Sequence, residues 1–185
     1  MTEHDHASAP ITFAIITCSD TRGMKQDTAG AALEQLIADN GWVCKSHVVV
    51  KDEVPQISAA IVEACDTIDA DIVLICGGSG LSLRDVTPEA TQAVCDRNVP
   101  GIAEAMRAHS LAITPFAMLS RALCMQRGTH LVVNLPGSEK AARENWDGIV
   151  AALPHAVKMM AGEGHSTQKD LSEKLAAAAA RGELG

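Results

Sequence analysis

The segment 77–90 reads GGSGLSLRDVTPEA, a short run holding glycines, hydroxyls, a cation and a carboxylate. Gly77, Gly78 and Gly80 let a backbone take positive φ and come close to a ligand. Successive N–H groups in such a loop form an anion-binding concavity. A helix beginning near residue 88 adds its positive N-terminus. Ser79 and Thr87 add hydroxyl donors. This chemistry suits a phosphate. Asp85 does not, because a bare carboxylate repels phosphate, so its presence points to Mg²⁺ lying between them. The competing reading is a tight strand-to-helix turn in which Asp85 pairs with Arg84 or caps the helix.

Standard phosphate motifs do not account for the loop. A P-loop would carry GxxxxGK[ST], and no lysine stands in that place. The dinucleotide fingerprint GxGxxG fails as well, since Leu83 occupies its third glycine position from Gly78. Asp52 and Glu53 follow an apolar run. Asp52 is either a solvated loop acid or, if it shares a sheet edge with Asp85, the second carboxylate on a metal in front of a triphosphate. Another loop offers Ser19, Asp20 and Asp27, and a fourth offers Asn134, Pro136, Gly137, Ser138 and Lys140.

The elements that must position these residues alternate. Strands are predicted at 11–19, 42–50, 70–78 and 129–137, each rich in Val, Ile or Leu as in a parallel sheet. Helical periodicity covers 31–41, 56–67, 88–97 and 102–113. Thr87 is placed to cap the third of these and Pro88 to open it. The stretch 116–127 reads as mixed helix, and 138–162 as a helix broken at Pro154. The alternation predicts an α/β domain with a mostly parallel sheet and helices on both faces. In such folds ligands bind beyond the carboxyl ends of the strands. That rule selects the loops 19–30, 51–55, 77–88 and 134–140. Residues 1–10 read as a disordered lead, 11–165 as the domain, and 166–185 as an Ala-rich helix or tail.

The bulk composition narrows the function. A chain of 185 residues suffices for one well-packed domain. Its charge of −8 argues against non-specific binding to nucleic acid or anionic membrane. With 2% aromatics and no Tyr, it lacks a surface for stacking single-stranded nucleic acid. Six scattered cysteines with no secretory signal read as reduced thiols in the cytoplasm, and the spacing a structural zinc needs is missing. His47, His109, His130 and His155 stand singly and read as structural, and Cys76 reads as a buried thiol.

Four segments in order resemble the molybdopterin-binding MoaB/Mog family: SDTRGMKQDTAG, GGSGLSLRDVTPEA, MRAHSLAITPFAMLSRA and NLPGSEK. The resemblance covers about 11–160. It implies a three-layer α/β domain, a homo-oligomer (a trimer, in some members a hexamer), and molybdenum cofactor biosynthesis. Mog-type members transfer AMP from Mg-ATP to the terminal phosphate of molybdopterin and release pyrophosphate. The two carboxylates this needs fall on Asp52 and Asp85, as Mg²⁺ ligands. Ser19, Asp20, Asp27, Gly77, Gly78, Ser79, Gly80, Arg84, Thr87, Pro136, Gly137, Ser138 and Lys140 are the candidate nucleotide- and pterin-binding residues. Arg84 either pairs with Asp85 or touches a phosphate. Arg121 reads as a ligand contact or, by preference, as part of a subunit interface.

The chain departs from the family pattern at Ser79, which keeps the usual hydroxyl, and at Leu83, expected to narrow the loop. Ile102 replaces an aromatic, and Glu139 brings a negative charge near an anion site. Leu83 and Glu139 motivate an alternative, a pterin-binding or assembly protein without turnover. A nucleotide-binding oxidoreductase is a third class, disfavoured by the missing fingerprint.

Overall fold

The computed structural model describes residues 9–162, so the lead as far as residue 8 and the Ala-rich tail lie outside the described residues. The strands are β1 (Thr12–Cys18), β2 (Val43–Val50), β3 (Ile72–Cys76), β4 (Arg97–Asn98), β5 (Cys124–Arg127) and β6 (His130–Leu135). The helices are α1 (Thr28–Asp39), α2 (Val54–Val62), α3 (Thr87–Val94), α4 (Pro100–Leu111), α5 (Glu139–Asp147) and α6 (Leu153–Met160). One six-stranded sheet runs in the order β2-β1-β3-β6-β5-β4. The first four of these strands are parallel, and β5 and β4 complete the sheet with antiparallel pairings.

The period-two alternation of side chains builds two cores from single strands. Phe13 and Ile15 of β1 face one side with Ile72 and Leu74 of β3 and Leu131 and Val133 of β6. There they meet Leu33 and Ile37 of α1, Met106 of α4 and Trp146 of α5. Ala14, Ile16, Val73, Ile75 and Val132 face the other side, against Ile57 and Ile61 of α2 and Ala90 of α3. Phe13, Trp42 and Trp146 stack together, with ring centroids 5.4–5.9 Å apart. Ile102 packs at the border of that first core, a purely structural role.

Several expectations need correction. The stretch 116–127 is not helical: Pro115–Leu119 is a 3₁₀ turn and Cys124–Arg127 is a strand. That strand forms a hairpin with β6 through Gly128, at φ 54°. A two-residue loop opening on Gly is the signal that could have found it. Residues 97–98 pair as a short edge strand. The break in 138–162 lies at 148–152, not at Pro154, which sits in the first turn of α6 where its missing N–H costs nothing. The second helix opens at Val54, ahead of the expected 56, and ends in a π-helical turn at Glu63–Thr67. Thr87 is the first residue of α3 and not its cap, a position held by Val86 without a side-chain hydrogen bond.

Candidate functional site

Because β1, β2, β3 and β6 are parallel, the loops after all four emerge at one edge of the sheet. They meet around a cavity of about 590 Å³. Ser19, Asp52, Gly77, Gly78, Ser79, Gly80, Asp85, Pro136, Gly137 and Ser138 all line it.

The glycine loop is shaped by contacts that leave no room for side chains. Gly77 and Gly78 have φ of 99° and 62°, the left-handed region that other residues avoid. A Cβ on Gly78 would lie 2.4 Å from Thr87 Oγ1. A Cβ on Gly137 would lie 3.0 Å from Gly77 Cα, so the third and fourth loops touch backbone to backbone. Gly80 does not take positive φ. A Cβ there would meet Asp85 Oδ2 at 2.8 Å, so a larger residue would displace the Asp85 carboxylate.

Thr87 serves this loop from beneath. It is fully buried, its hydroxyl donates to Gly77 O at 2.8 Å, and its N–H donates to Gly78 O at 3.0 Å. Thr91 Oγ1 then donates to Thr87 O, and Asn134 Nδ2 donates to Thr91 Oγ1. Asn134 is therefore a buried strut between β6 and α3, not a ligand-facing group. Arg121 braces the loop by contacts within the chain. Its Nε donates to Gly80 O at 2.7 Å, and its guanidinium also reaches Asp85 O and the Glu89 carboxylate.

Carboxylates crowd the mouth. Asp52 and Asp20 exchange hydrogen bonds, Asp20 N donating to Asp52 Oδ2 at 3.0 Å and Asp52 N to Asp20 Oδ1 at 3.3 Å. Burial first, then the negative charges of Asp20 and Asp85, push the Asp52 carboxyl above its ordinary 3.8. Arg84 pairs with neither Asp85 nor an open anion site. It grips Asp20 in a bidentate pair at 2.7–3.0 Å, which holds the Asp20 carboxyl below its usual range. Asp85 Oδ2 instead accepts from Ser82 N at 3.0 Å.

Five candidates do not line the cavity: Asp20, Arg84 and Thr87, described above, and Asp27 and Lys140. Asp27 is buried behind the cavity, capping α1 through Gly30 N at 2.9 Å and holding His47 Nε2 at 2.7 Å. His47 also faces Glu34, its Nδ1 at 3.3 Å from Oε1, so its structural reading holds. The Lys140 side chain is largely exposed and leans on Glu144 at 3.7 Å. Ser138 lines the cavity and caps α5, accepting from Ala141 N. Leu83 is fully exposed and narrows nothing. Glu139 pairs with Arg143 at 3.3 Å.

Sequence reasoning missed one wall. Arg107, Ser110, Thr114, Phe116, Ala117, Leu119 and Ser120 line the cavity from α4 and the turn after it, and Glu144 and Asn145 from α5. Those from 107 to 120 fall in the segment MRAHSLAITPFAMLSRA, to which the resemblance gave no site role, and Glu144 and Asn145 carry no such signal. Thr17, Cys18, Thr21 and Arg22 extend the first loop, and Arg22 ties it to the fourth by donating to Gly137 O at 3.1 Å. Burial pushes the Cys18 thiol up to about 12, so it stays protonated beside the site. All six cysteines are unpaired.

Among the described residues, no group of three or more His, Cys, Asp or Glu gathers as a metal cage. The Asp52–Asp85 pair nonetheless suits Mg²⁺, which needs only one or two carboxylates when substrate phosphates and water complete its shell. Burial first, and the Asp20 and Asp85 charges after it, raise the Asp52 carboxyl, and a bound cation would offset both.

Residues 14–155 match the family described as a probable molybdopterin binding domain. The chain is 34% identical to the molybdopterin adenylyltransferase of Helicobacter pylori strain 26695, across 82% of its own length and 89% of the relative's. It is 37% identical to molybdenum cofactor biosynthesis protein B of Bacillus cereus, across 77% and 86%. Among solved structures, it superposes on the molybdopterin biosynthesis enzyme MoaB of Thermus thermophilus with a TM-score of 0.77 at 41% identity, covering 82% of this chain and 97% of that one.

Proposed function

The chain belongs to the molybdopterin-binding domain family of molybdenum cofactor biosynthesis, and on that premise we propose that it is a molybdopterin adenylyltransferase. It transfers AMP from Mg-ATP to the terminal phosphate of molybdopterin and releases pyrophosphate, in the cytoplasm and as a homotrimer. The observation that carries this reading is that Asp52 and Asp85 line one cavity with the glycine loop and with Ser138, the N-cap of α5.

The phosphate oxygen of molybdopterin attacks the α-phosphorus of ATP, and the bond from that phosphorus to the pyrophosphate oxygen breaks. The nucleophile is already ionised, so no general base is needed. Catalysis is positioning and charge neutralisation. The N–H groups of Gly78, Ser79 and Gly80 and the Ser79 hydroxyl hold a phosphate. Thr87 acts one step back, keeping Gly77 and Gly78 in the shape that presents those donors. Arg84 keeps Asp20 neutralised, so that Asp20 adds less repulsion toward an anionic substrate. Asp52 and Asp85 would hold Mg²⁺, which on binding supplies charge neutralisation for the departing pyrophosphate.

The alternative without turnover loses both of its motives. Leu83 points away from the loop interior, and Glu139 is occupied by Arg143.

The test is an assay with molybdopterin, ATP and Mg²⁺ that follows adenylylated molybdopterin and pyrophosphate. The wild type turns over, and Asp52→Asn and Asp85→Asn each lose about 100-fold or more in kcat while still binding molybdopterin. A wild type that binds molybdopterin but yields no product would restore the non-catalytic reading.

A further inference from the structure

Residues 81–84 are all exposed, Leu81 and Leu83 among them, so burial does not hold the stretch that leads to Asp85. Polar contacts hold it instead. Within the stretch, Asp85 N donates to Ser82 O at 2.9 Å and Ser82 N to Asp85 Oδ2 at 3.0 Å. Those bonds set its local shape but not its place in the molecule. Two arginines tie it to other segments. Arg84 reaches Asp20 with most of its side chain in water. Arg121 comes from the segment before β5, and its side chain is only 34% exposed.

The Arg121 guanidinium makes three contacts at once. Nε donates to Gly80 O at 2.7 Å, Nη2 to Asp85 O, and Nη1 to the Glu89 carboxylate. Gly80 and Asp85 flank the exposed stretch, so one side chain ties both of its ends. The Arg121 N–H adds a bond to Ser79 O at 2.9 Å. The residues that follow Arg121 are fixed in turn. Arg107 Nη1 donates to Ala122 O at 2.9 Å, Asn134 N to Leu123 O at 2.9 Å, and Leu123 N to Asn134 Oδ1 at 3.3 Å. Arg121 therefore sets residues 80 and 85 against β6, which carries Asn134. It does not line the cavity, so what it contributes passes through the loop.

The two candidate metal ligands sit against the same loop. A Cβ on Gly78 would lie 3.1 Å from Asp52 Oδ1, and one on Gly80 2.8 Å from Asp85 Oδ2. A carboxylate binds a cation well only when other groups hold it in place, and losing such a group costs about 10–100-fold in metal affinity. Resting on the Mg²⁺ reading above, we infer that Arg121 is a positioning residue of the metal site, fixing the backbone of Asp85 so that its carboxylate stays at the same glycine loop as that of Asp52. Glu89, in the first turn of α3, orients the guanidinium for this task. Lysine cannot substitute, because a point charge does not span two carbonyls and a carboxylate as a planar fork does.

The test titrates Mn²⁺, which suits the same oxygen ligands as Mg²⁺, into the full chain and follows free Mn²⁺ by electron paramagnetic resonance. Thermal melts check that each variant folds. The wild type binds Mn²⁺, and Asp85→Asn gives the value with that ligand lost. Arg121→Lys weakens Mn²⁺ binding by about tenfold. Glu89→Gln, which keeps an acceptor for Arg121 but not its charge, shows a smaller loss in the same direction. Ile37→Val, a core change on α1, lowers the thermal midpoint and leaves Mn²⁺ affinity within about twofold. Wild-type Mn²⁺ affinity in Arg121→Lys overturns the assignment; if that variant does not fold, wild-type affinity in Glu89→Gln does so. An equal loss in Ile37→Val also overturns it, since general loosening would then explain the effect. A wild type that binds no Mn²⁺ removes the metal reading, and the role of Arg121 falls with it. If Mn²⁺ binding behaves as expected but no AMP is transferred, the adenylyltransferase reading fails and the role of Arg121 stands.

Discussion

Asp52 shows how a site can cost stability. Its folded carboxyl holds a proton more readily than the unfolded one, whose ordinary value is 3.8. Ionising it therefore opposes folding. That cost is absent below 3.8, grows between 3.8 and the raised folded value, and is fully present above it. In the absence of divalent cations, Asp52→Asn removes the cost and keeps an oxygen to accept from Asp20 N. The variant is expected to be at least as stable as the wild type at pH 7, with its advantage shrinking toward pH 4. Denaturant melts across that range check it, and a less stable variant at pH 7 would refute the sign.

The strand-to-helix turn is where an element does the positioning. The hydroxyl of Thr87 is the hinge pin between β3 and α3, and it passes its load through Thr91 and Asn134 to β6. Thr87→Val keeps the shape and deletes the donor. It leaves a buried carbonyl at Gly77 unpaired, at a cost of about 1–3 kcal/mol. Thr87→Ser keeps the donor and recovers most of that. Chemical denaturation of the two variants measures the difference. If Val and Ser behave alike, the hydrogen bond is not what holds the loop. Gly30 shows the same tightness behind the site, since a Cβ there would sit 2.2 Å from His47 Nε2.

At the scale of the whole molecule, the fold stands on its two apolar layers rather than on a metal. No three-ligand cluster exists among the described residues, so chelation by EDTA is expected to abolish AMP transfer and leave the thermal midpoint of the substrate-free protein unchanged. A lowered midpoint would reveal a structural ion. No described helix is long and apolar enough to cross a membrane. Leu81, Leu83, Phe116, Met118 and Leu119 are exposed, more large apolar surface on two neighbouring segments than a lone subunit needs to show water. Light scattering of the full chain is expected to give three times its 19.4 kDa mass. A mass of one subunit would remove the trimer from the proposal.

The amino-acid sequence by itself determined the α/β class and the edge at which the site lies, because unbroken apolar runs and Gly-Pro punctuation are local consequences of burial and backbone sterics. It brought Asp52, Asp85, the glycines and Ser138 to one place as soon as the parallel order of their strands was accepted. It did not reveal that Thr87, Asn134 and Arg121 hold the loop rather than the ligand, or that Asp27 is spent on His47. Nor did it reveal that Phe116 and Glu144 line the same cavity as residues 77–80. Those facts depend on which side chains meet across elements far apart in the chain, where a donor finds its acceptor only after packing has fixed both, and no spacing along the sequence encodes that meeting.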